Sequence, residues 1–389
     1  MVTLMRGVRL LVLGNGAAGA EKQALALGAR LRDKLLSESS IYRSQVCCPR
    51  VECVRVTLGS SRLLPPVLQI FGAQVTRNAL FGYKEQNTSR MFPVQKNPRA
   101  LDVVIGCGRS TVALCAVLKQ LEPRRTFNVQ IQHPRVPLSW FDAVVAPRHD
   151  FPGGKGGAAN LYLTSGTVHD ITPELLQQHG SEWSEEMDES LQGRRTRVVW
   201  LLGGPCSGFA FTELDAERMV GEFVDVLSTE EDVAVLVTFS RRTPKNVQRI
   251  VRHGLQSRFP VPGQLLVWNG TEGRNPYYAL LSTATCIVTT PDSISMTTEA
   301  IASGKPVFSI GVEYCKGKFQ RFHRSLIEAK ATQSFTSDAV ASALLLRSDV
   351  EKNEEKVLSS DASAALEKEI STIVDNIATD IHAALNQID

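Results

Sequence analysis

A short apolar run at residues 8–13 stops at Gly14-Asn15-Gly16, and the next segment, 21–36, carries Leu25, Leu27, Leu31 and Leu35 as a helical stripe. Strand, glycine turn and helix in that order open a doubly wound α/β domain. The pattern then repeats. Residues 101–105 form a strand run ahead of Gly106-Cys107-Gly108, with a helix predicted at 111–121. Further strands are predicted at 127–131, 141–146 and 161–163, and a helix at 172–179. A second series starts with a strand at 197–202, before Gly203-Gly204-Pro205, and continues with strands at 232–238, 264–268, 286–290 and 306–310. Helices at 214–227, 244–253, 275–283 and 293–303 separate them. Strands alternating with helices imply parallel sheets covered on both faces. The expected fold class is α/β, with two Rossmann-like domains facing across a cleft and a C-terminal amphipathic helix.

A chain of 389 residues suits two domains. Residues 1–180 read as an N-terminal Rossmann-like domain and 196–345 as a C-terminal Rossmann-like domain of nucleotide-binding type. Residues 181–195 read as a linker, being acidic and without a periodic apolar face, and 346–389 as a tail. In the tail, Leu366, Ile370, Ile373, Ile377 and Ile381 stripe one helix over 362–385. Such a stripe needs a partner surface elsewhere on the protein. Residues 40–100 are less regular, with loops at Pro65-Pro66 and 84–98 and a helix after Pro66.

A formal charge of +3 without a long basic stripe gives no argument for a nucleic-acid partner. No apolar run approaches the ~20 residues of a transmembrane helix. The first strand begins at residue 8, which leaves no room for a signal peptide or presequence ahead of it. Cys47, Cys48, Cys53, Cys107, Cys115, Cys206, Cys286 and Cys315 form no CxxC pair and read as reduced thiols.

Ligands of open α/β sheets bind outside the carboxyl ends of the strands, so the informative residues are those just after each strand. Gly14, Gly16 and Gly19 match GxGxxG, which lets backbone N–H groups approach an anion. No acidic residue stands about 20 positions on at a second-strand end, so no dinucleotide is expected, nor any other cofactor or metal. Gly108 and Arg109 repeat the arrangement at the next strand end. Gly203-Gly204 and Ser240-Arg241-Arg242-Thr243-Pro244 follow the first two strands of the second half, with Thr243 read as an N-cap and Pro244 as the first helical residue. The richest stretch is 290–300. There Asp292, Ser293 and Ser295 open a helix, Glu299 lies on the same helical face as Ser295, and Gly304 fits the C′ position. The helix start and serine hydroxyls suit phosphate, and the Glu299 carboxylate suits the vicinal hydroxyls of a ribose. A capping turn with a solvated Glu299 is the structural alternative. Gly14, Gly16, Gly108 and Arg109 are expected to face this set across the cleft. The basic-aromatic segment 317–323 is expected to close over it.

Several stretches together resemble one family. They are Val104-Ile105-Gly106-Cys107-Gly108-Arg109, Gln130-Ile131-Gln132-His133-Pro134-Arg135, Phe141-Asp142-Ala143 with His149-Asp150, Ser240-Arg241-Arg242-Thr243-Pro244, Asp292-Ser293-Ile294-Ser295-Met296, and Gly304-Lys305-Pro306 with Lys318-Phe319 and Arg321-Phe322-His323. The chain is similar, over most of 8–335, to the mitochondrial fission proteins named for the elongated-mitochondria mutants of plants. The resemblance implies a cytoplasmic protein, peripheral on the mitochondrial outer membrane through partners, that recruits a dynamin-related GTPase. It also implies distant kinship with GT-B glycosyltransferases, hence a GT-B-like layout, and with sugar-nucleotide 2-epimerases. In these, a turn like 292–299 grips a nucleotide and the carboxylate matching Glu299 holds its ribose. Ile294 and Ser295 stand where the epimerases carry two glycines. A transferase using a nucleotide-sugar donor is the alternative to an adaptor. It would need a general base on the N-terminal domain, for which His149, oriented by Asp150, is the candidate.

Overall fold

The computed structural model describes residues 7–37, 50–59, 64–84, 100–151, 157–230, 232–268, 273–350 and 358–388. Cys47, Cys48, nearly all of the 84–98 loop and the centre of the glycine-rich 150–160 loop lie outside them. The first series of elements is β1 (Gly7–Gly14), α1 (Ala18–Ser37), β2 (Val51–Arg55), α2 (Pro66–Thr76), β3 (Ala100–Cys107), α3 (Arg109–Leu121), β4 (Thr126–Ile131), β5 (Ala143–Pro147), β6 (Leu161–Thr164), α4 (Pro173–Glu182) and α5 (Ser184–Ser190). The second is β7 (Thr196–Leu202), α6 (Glu213–Val226), β8 (Val233–Phe239), α7 (Lys245–Arg258), β9 (Leu265–Trp268), α8 (Tyr277–Thr283), β10 (Cys286–Thr289), α9 (Ile294–Ala302), β11 (Val307–Ser309), α10 (Gly317–Glu328), β12 (Gln333–Ser334), α11 (Ser337–Val350) and α12 (Leu358–Asn386).

These strands build two six-stranded sheets, ordered β2-β1-β3-β4-β5-β6 and β12-β11-β10-β7-β8-β9. Neighbouring strands are parallel throughout both. The central strands are covered on both faces, which is why they read as continuous apolar runs. β4 shows the cost of a polar residue in such a strand. Asn128 is fully buried, and its amide donates to the carbonyls of Cys115 and Trp140 at 3.1 and 3.0 Å.

Each sheet belongs to its own compact unit: Met1–Asp170 with Lys368–Asp389, and Ile171–Glu367. This corrects the domain reading in two places. The second unit begins ahead of α4, whose Leu176 joins that unit's core. The acidic segment read as a linker is the helix α5. Trp183, Met187 and Leu191 come up every four residues and bury in the same core. Arg274 lies over the Trp183 ring at 4.5 Å, and Arg197 donates to Asp188 at 2.5 Å. The acidic residues are its solvated face.

The tail is helical over a longer range than its stripe suggested. Leu366 packs in the second unit, whereas Ile370, Ile373, Ile377 and Ile381 bury against β1, β3 and β4 of the first. Two local readings change. Pro244, not Thr243, is the cap of α7, because the Thr243 hydroxyl donates to the Gly203 carbonyl instead. Segment 317–323 opens the helix α10, with Phe322 and His323 buried.

On α6, burial and secondarily the Glu313 charge push the Glu222 carboxyl up to about 7. The protonated form is favoured by folding, so its contribution is whole below the ordinary carboxylate range near about 4.3. That contribution is lost as the pH rises through about 7. Glu222→Gln is therefore expected to gain stability relative to the parent between about pH 5 and about pH 8, read by thermal unfolding. A difference that stays constant with pH would refute this.

Candidate functional site

At the carboxyl edge of the second sheet, the ends of β7, β8 and β10 meet on one carboxylate. Gly204 N–H donates to Asp292 Oδ2 at 2.6 Å, the Thr290 hydroxyl donates to Oδ1 at 2.7 Å, and Arg242 Nη2 donates to Oδ2 at 3.1 Å. Gly203 N–H donates to Thr290 Oγ1 at 2.8 Å. The Asp292 side chain is fully buried, and burial raises its carboxyl while these donors hold it down. Glycine is required here for space. A Cβ on Gly203 would stand 1.9 Å from Asp292 Oδ2, and one on Gly204 would stand 2.5 Å from the Arg242 carbonyl.

Downstream, Ser293 caps α9 by accepting from Met296 N–H at 3.4 Å. The helix therefore starts right beside the carboxylate hub. Ser295 sits half-buried in its first turn. Glu299, one turn further, is 6% exposed, and its Oε2 accepts the Tyr277 hydroxyl at 2.6 Å. A solvated Glu299 is thus excluded. The Pro291 carbonyl that precedes the hub is held by His323. Nε2 lies 3.1 Å from that carbonyl, which only accepts, so Nε2 carries a proton, and Nδ1 shares a hydrogen bond with Ser309 Oγ at 3.2 Å. Ser240 Oγ accepts from Arg242 N–H at 3.1 Å. Of the two arginines, Arg242 is spent on Asp292 and Pro205, while Arg241 is exposed and makes no ion pair among the described residues.

In the first unit the glycine turn is filled from within. Gly16, at φ +72°, donates its N–H to Glu21 Oε2 at 3.0 Å, and Glu21 is paired with Arg55 at 2.8 Å. A Cβ on Gly14 would meet Glu21 Oε2 at 2.8 Å. The second strand ends in Arg55 rather than an acid, which is the wrong charge for a ribose hydroxyl pair. Gly108, at φ +79°, precedes the exposed Arg109 at the start of α3.

Beyond β5, His149 Nε2 and Asp150 Oδ1 lie 3.7 Å apart, with side chains only 6% and 13% exposed. The turn does bring the two together, but nearly buries the imidazole. A second histidine, half-buried, stands beside them. His133 stacks on Phe151 at 4.4 Å, its Nδ1 accepts from Arg135 N–H at 3.0 Å, and burial lowers its pKa against the raising charge of Asp150. Gln132 and Arg135, on either side, both adopt positive φ, at +70° and +57°, a strain uncommon outside glycine. Tyr277 and His133 escaped the sequence reading as site residues, whereas Arg242 was read with Arg241 as a possible anion site and Thr290 as the start of the 290–300 stretch. The only available signal was their position just after a strand or ahead of a short helix.

Two parallel six-stranded α/β units, with glycine turns and helix starts at their carboxyl edges, define a GT-B-like protein. The profile of the family described as "Mitochondrial fission ELM1" matches residues 18–367, and the chain belongs to that family. The Arabidopsis thaliana "Mitochondrial fission protein ELM1" is 32% identical over 253 residues, which cover 60% of this chain and 57% of the plant protein. An uncharacterised Rickettsia prowazekii protein is 26% identical over 350 residues, 83% of this chain and 89% of its own. Among solved structures, a protein assigned as a UDP-N-acetylglucosamine 2-epimerase from Listeria monocytogenes aligns over 97% of each chain, with TM-score 0.53 and 13% identity. The UDP-GlcNAc 2-epimerase of Methanocaldococcus jannaschii aligns over 93% of this chain and 98% of its own, with TM-score 0.51 and 10% identity. At those identities the likeness is one of fold.

Proposed function

We propose that this chain is a fission factor acting at the outer mitochondrial surface, where it recruits a dynamin-related GTPase. The observation that supports it is the family match, which runs through both units rather than through one of them. No described helix is long and apolar enough to cross a membrane, so the reading gives the chain a peripheral attachment. The test is proximity labelling from the tagged chain in intact cells, with protease digestion of isolated mitochondria. The reading expects labelling of a dynamin-related GTPase and loss of the chain to external protease. Protection of the chain inside intact mitochondria would overturn it.

A second reading concerns the carboxyl edge of the second sheet, as a site for a nucleotide or nucleotide sugar. The start of α9 and the exposed Arg241, both at this carboxyl edge, suit a diphosphate, and the Tyr277-held Glu299 suits a ribose. A ligand at 100-fold its Kd adds about 2.7 kcal/mol of stability, so a thermal-shift series with UDP and UDP-GlcNAc reads it directly. Glu299→Gln is expected to weaken binding by about 1.5–3 kcal/mol, the worth of a charged hydrogen bond. Because Tyr277 also loses its carboxylate acceptor, the variant is expected to lose some stability without ligand. Equal binding by parent and variant would remove Glu299 from the site. A transferase activity would further ask for a base, for which the half-buried His133 is a second candidate beside His149.

A further inference from the structure

Helix α2 has two apolar faces on opposite sides. Pro66, Gln69, Ile70 and Ala73 are buried against the first unit. Val67, Leu68, Phe71 and Val75 are exposed at 44%, 51%, 62% and 67%. At 3.6 residues per turn these four fall within an arc of about 100°, on the side away from the core. Leu121, at the end of α3, is 52% exposed. The two helix ends are tied together by Gln74 Nε2, which donates to Gln120 Oε1 at 2.8 Å.

A helix at a protein surface ordinarily turns a polar face to water. α2 carries no charged side chain anywhere in its eleven residues. Charge gathers at its rim instead, and it is positive. Arg77 caps the helix and Arg124 follows Leu121. Both are exposed, and neither is ion-paired among the described residues. The nearby acid, Glu122, is half-buried. An apolar strip edged by unspent guanidinium groups has the composition of a helix that lies in a lipid interface.

We propose that this face docks on an anionic phospholipid surface, with Phe71 and Val75 entering the acyl boundary and Arg77 and Arg124 meeting headgroup phosphates. The contact is direct and adds to any held through protein partners. It depends on neither the nucleotide site nor GTPase recruitment, so it stands or falls separately from both.

The experiment is flotation of the full chain with phosphatidylcholine vesicles, with and without a minority of phosphatidylserine, at low and high salt. The parent is expected to float with the anionic vesicles only, and to lose most of that binding in high salt. Phe71→Asp with Val75→Asp is expected to reduce binding at least about tenfold. Arg124→Gln alone is expected to reduce it about fivefold, and Arg77→Asn, which keeps the left-handed cap, by a similar factor. All four side chains are exposed, so thermal unfolding of the variants should match the parent. Phe71→Ser with Val75→Ser replaces the aspartate pair should that pair misfold. Three results would overturn the proposal. They are a parent that does not float, an aspartate pair that floats like the parent, and a parent dimer that the pair converts to monomer, which would assign the face to a second copy.

Discussion

A chain ended after Glu367 is expected to leave the first unit unfolded while the second still folds. The residues removed include Ile370, Ile373, Val374, Ile377, Ile381 and Leu385, all buried in the first unit's core. Each aliphatic side chain so buried contributes about 1.5–3 kcal/mol. Six together contribute about 9–18 kcal/mol, as much as the roughly 5–15 kcal/mol by which a whole domain is stable. Polar ties go with them. Ser165 N–H donates to Glu369 at 2.7 Å, Lys34 pairs with Asp375 at 2.7 Å, and the Tyr162 hydroxyl donates to Asp380 at 3.0 Å. Ile377→Ala, at a fully buried position, should by itself cost about 2–5 kcal/mol. Hydrogen exchange on the truncated chain decides the matter. Protected amides in β1 and β3 without α12 would sink the prediction.

Gly204→Ala should be strongly damaging at the carboxylate hub. Its Cβ would overlap Arg242 backbone, which cannot rotate away as a side chain can, so about 3 kcal/mol is expected. Asp292→Ala should lose a similar amount, about 2–4 kcal/mol, because Gly204 N–H and the Thr290 hydroxyl are left buried without an acceptor. Gly16→Ala is the contrast. It has positive φ, unlike Gly204, but nothing lies within 4 Å of its Cβ, so it should cost only about 1 kcal/mol of backbone strain. Denaturant midpoints of the three variants test the order. A Gly204→Ala variant as stable as the Gly16→Ala variant would show that the hub is not packed as described.

The strands that were legible in the sequence are those buried on both faces, where the apolar run has no interruption. β2 was not. Val51-Glu52-Cys53-Val54-Arg55 is an edge strand with one buried residue, and its half-exposed pattern gives no apolar run. α5 was hidden for a related reason. Its stripe has one apolar residue per turn, Trp183, Met187 and Leu191, against a strongly acidic background. Candidate residues were legible by position, since parallel strands deliver whatever follows them to one edge. What each does there was not legible. That Arg242 rather than Arg241 reaches Asp292, and that Tyr277 reaches Glu299, depends on how loops far apart in sequence approach each other. Residue spacing carries no record of that.

The order of the two units along the chain has a consequence for synthesis. The first unit's strands leave the ribosome first, yet the segment Lys368–Asp389 that completes their core follows the whole of the second unit. The second unit can therefore close while the nascent first sheet still waits, with the surface meant for Ile377 and Ile381 open to water. Domains usually mature in the order they emerge. Here the later one is expected to finish first, and the earlier one to need shielding by a holding chaperone until translation ends.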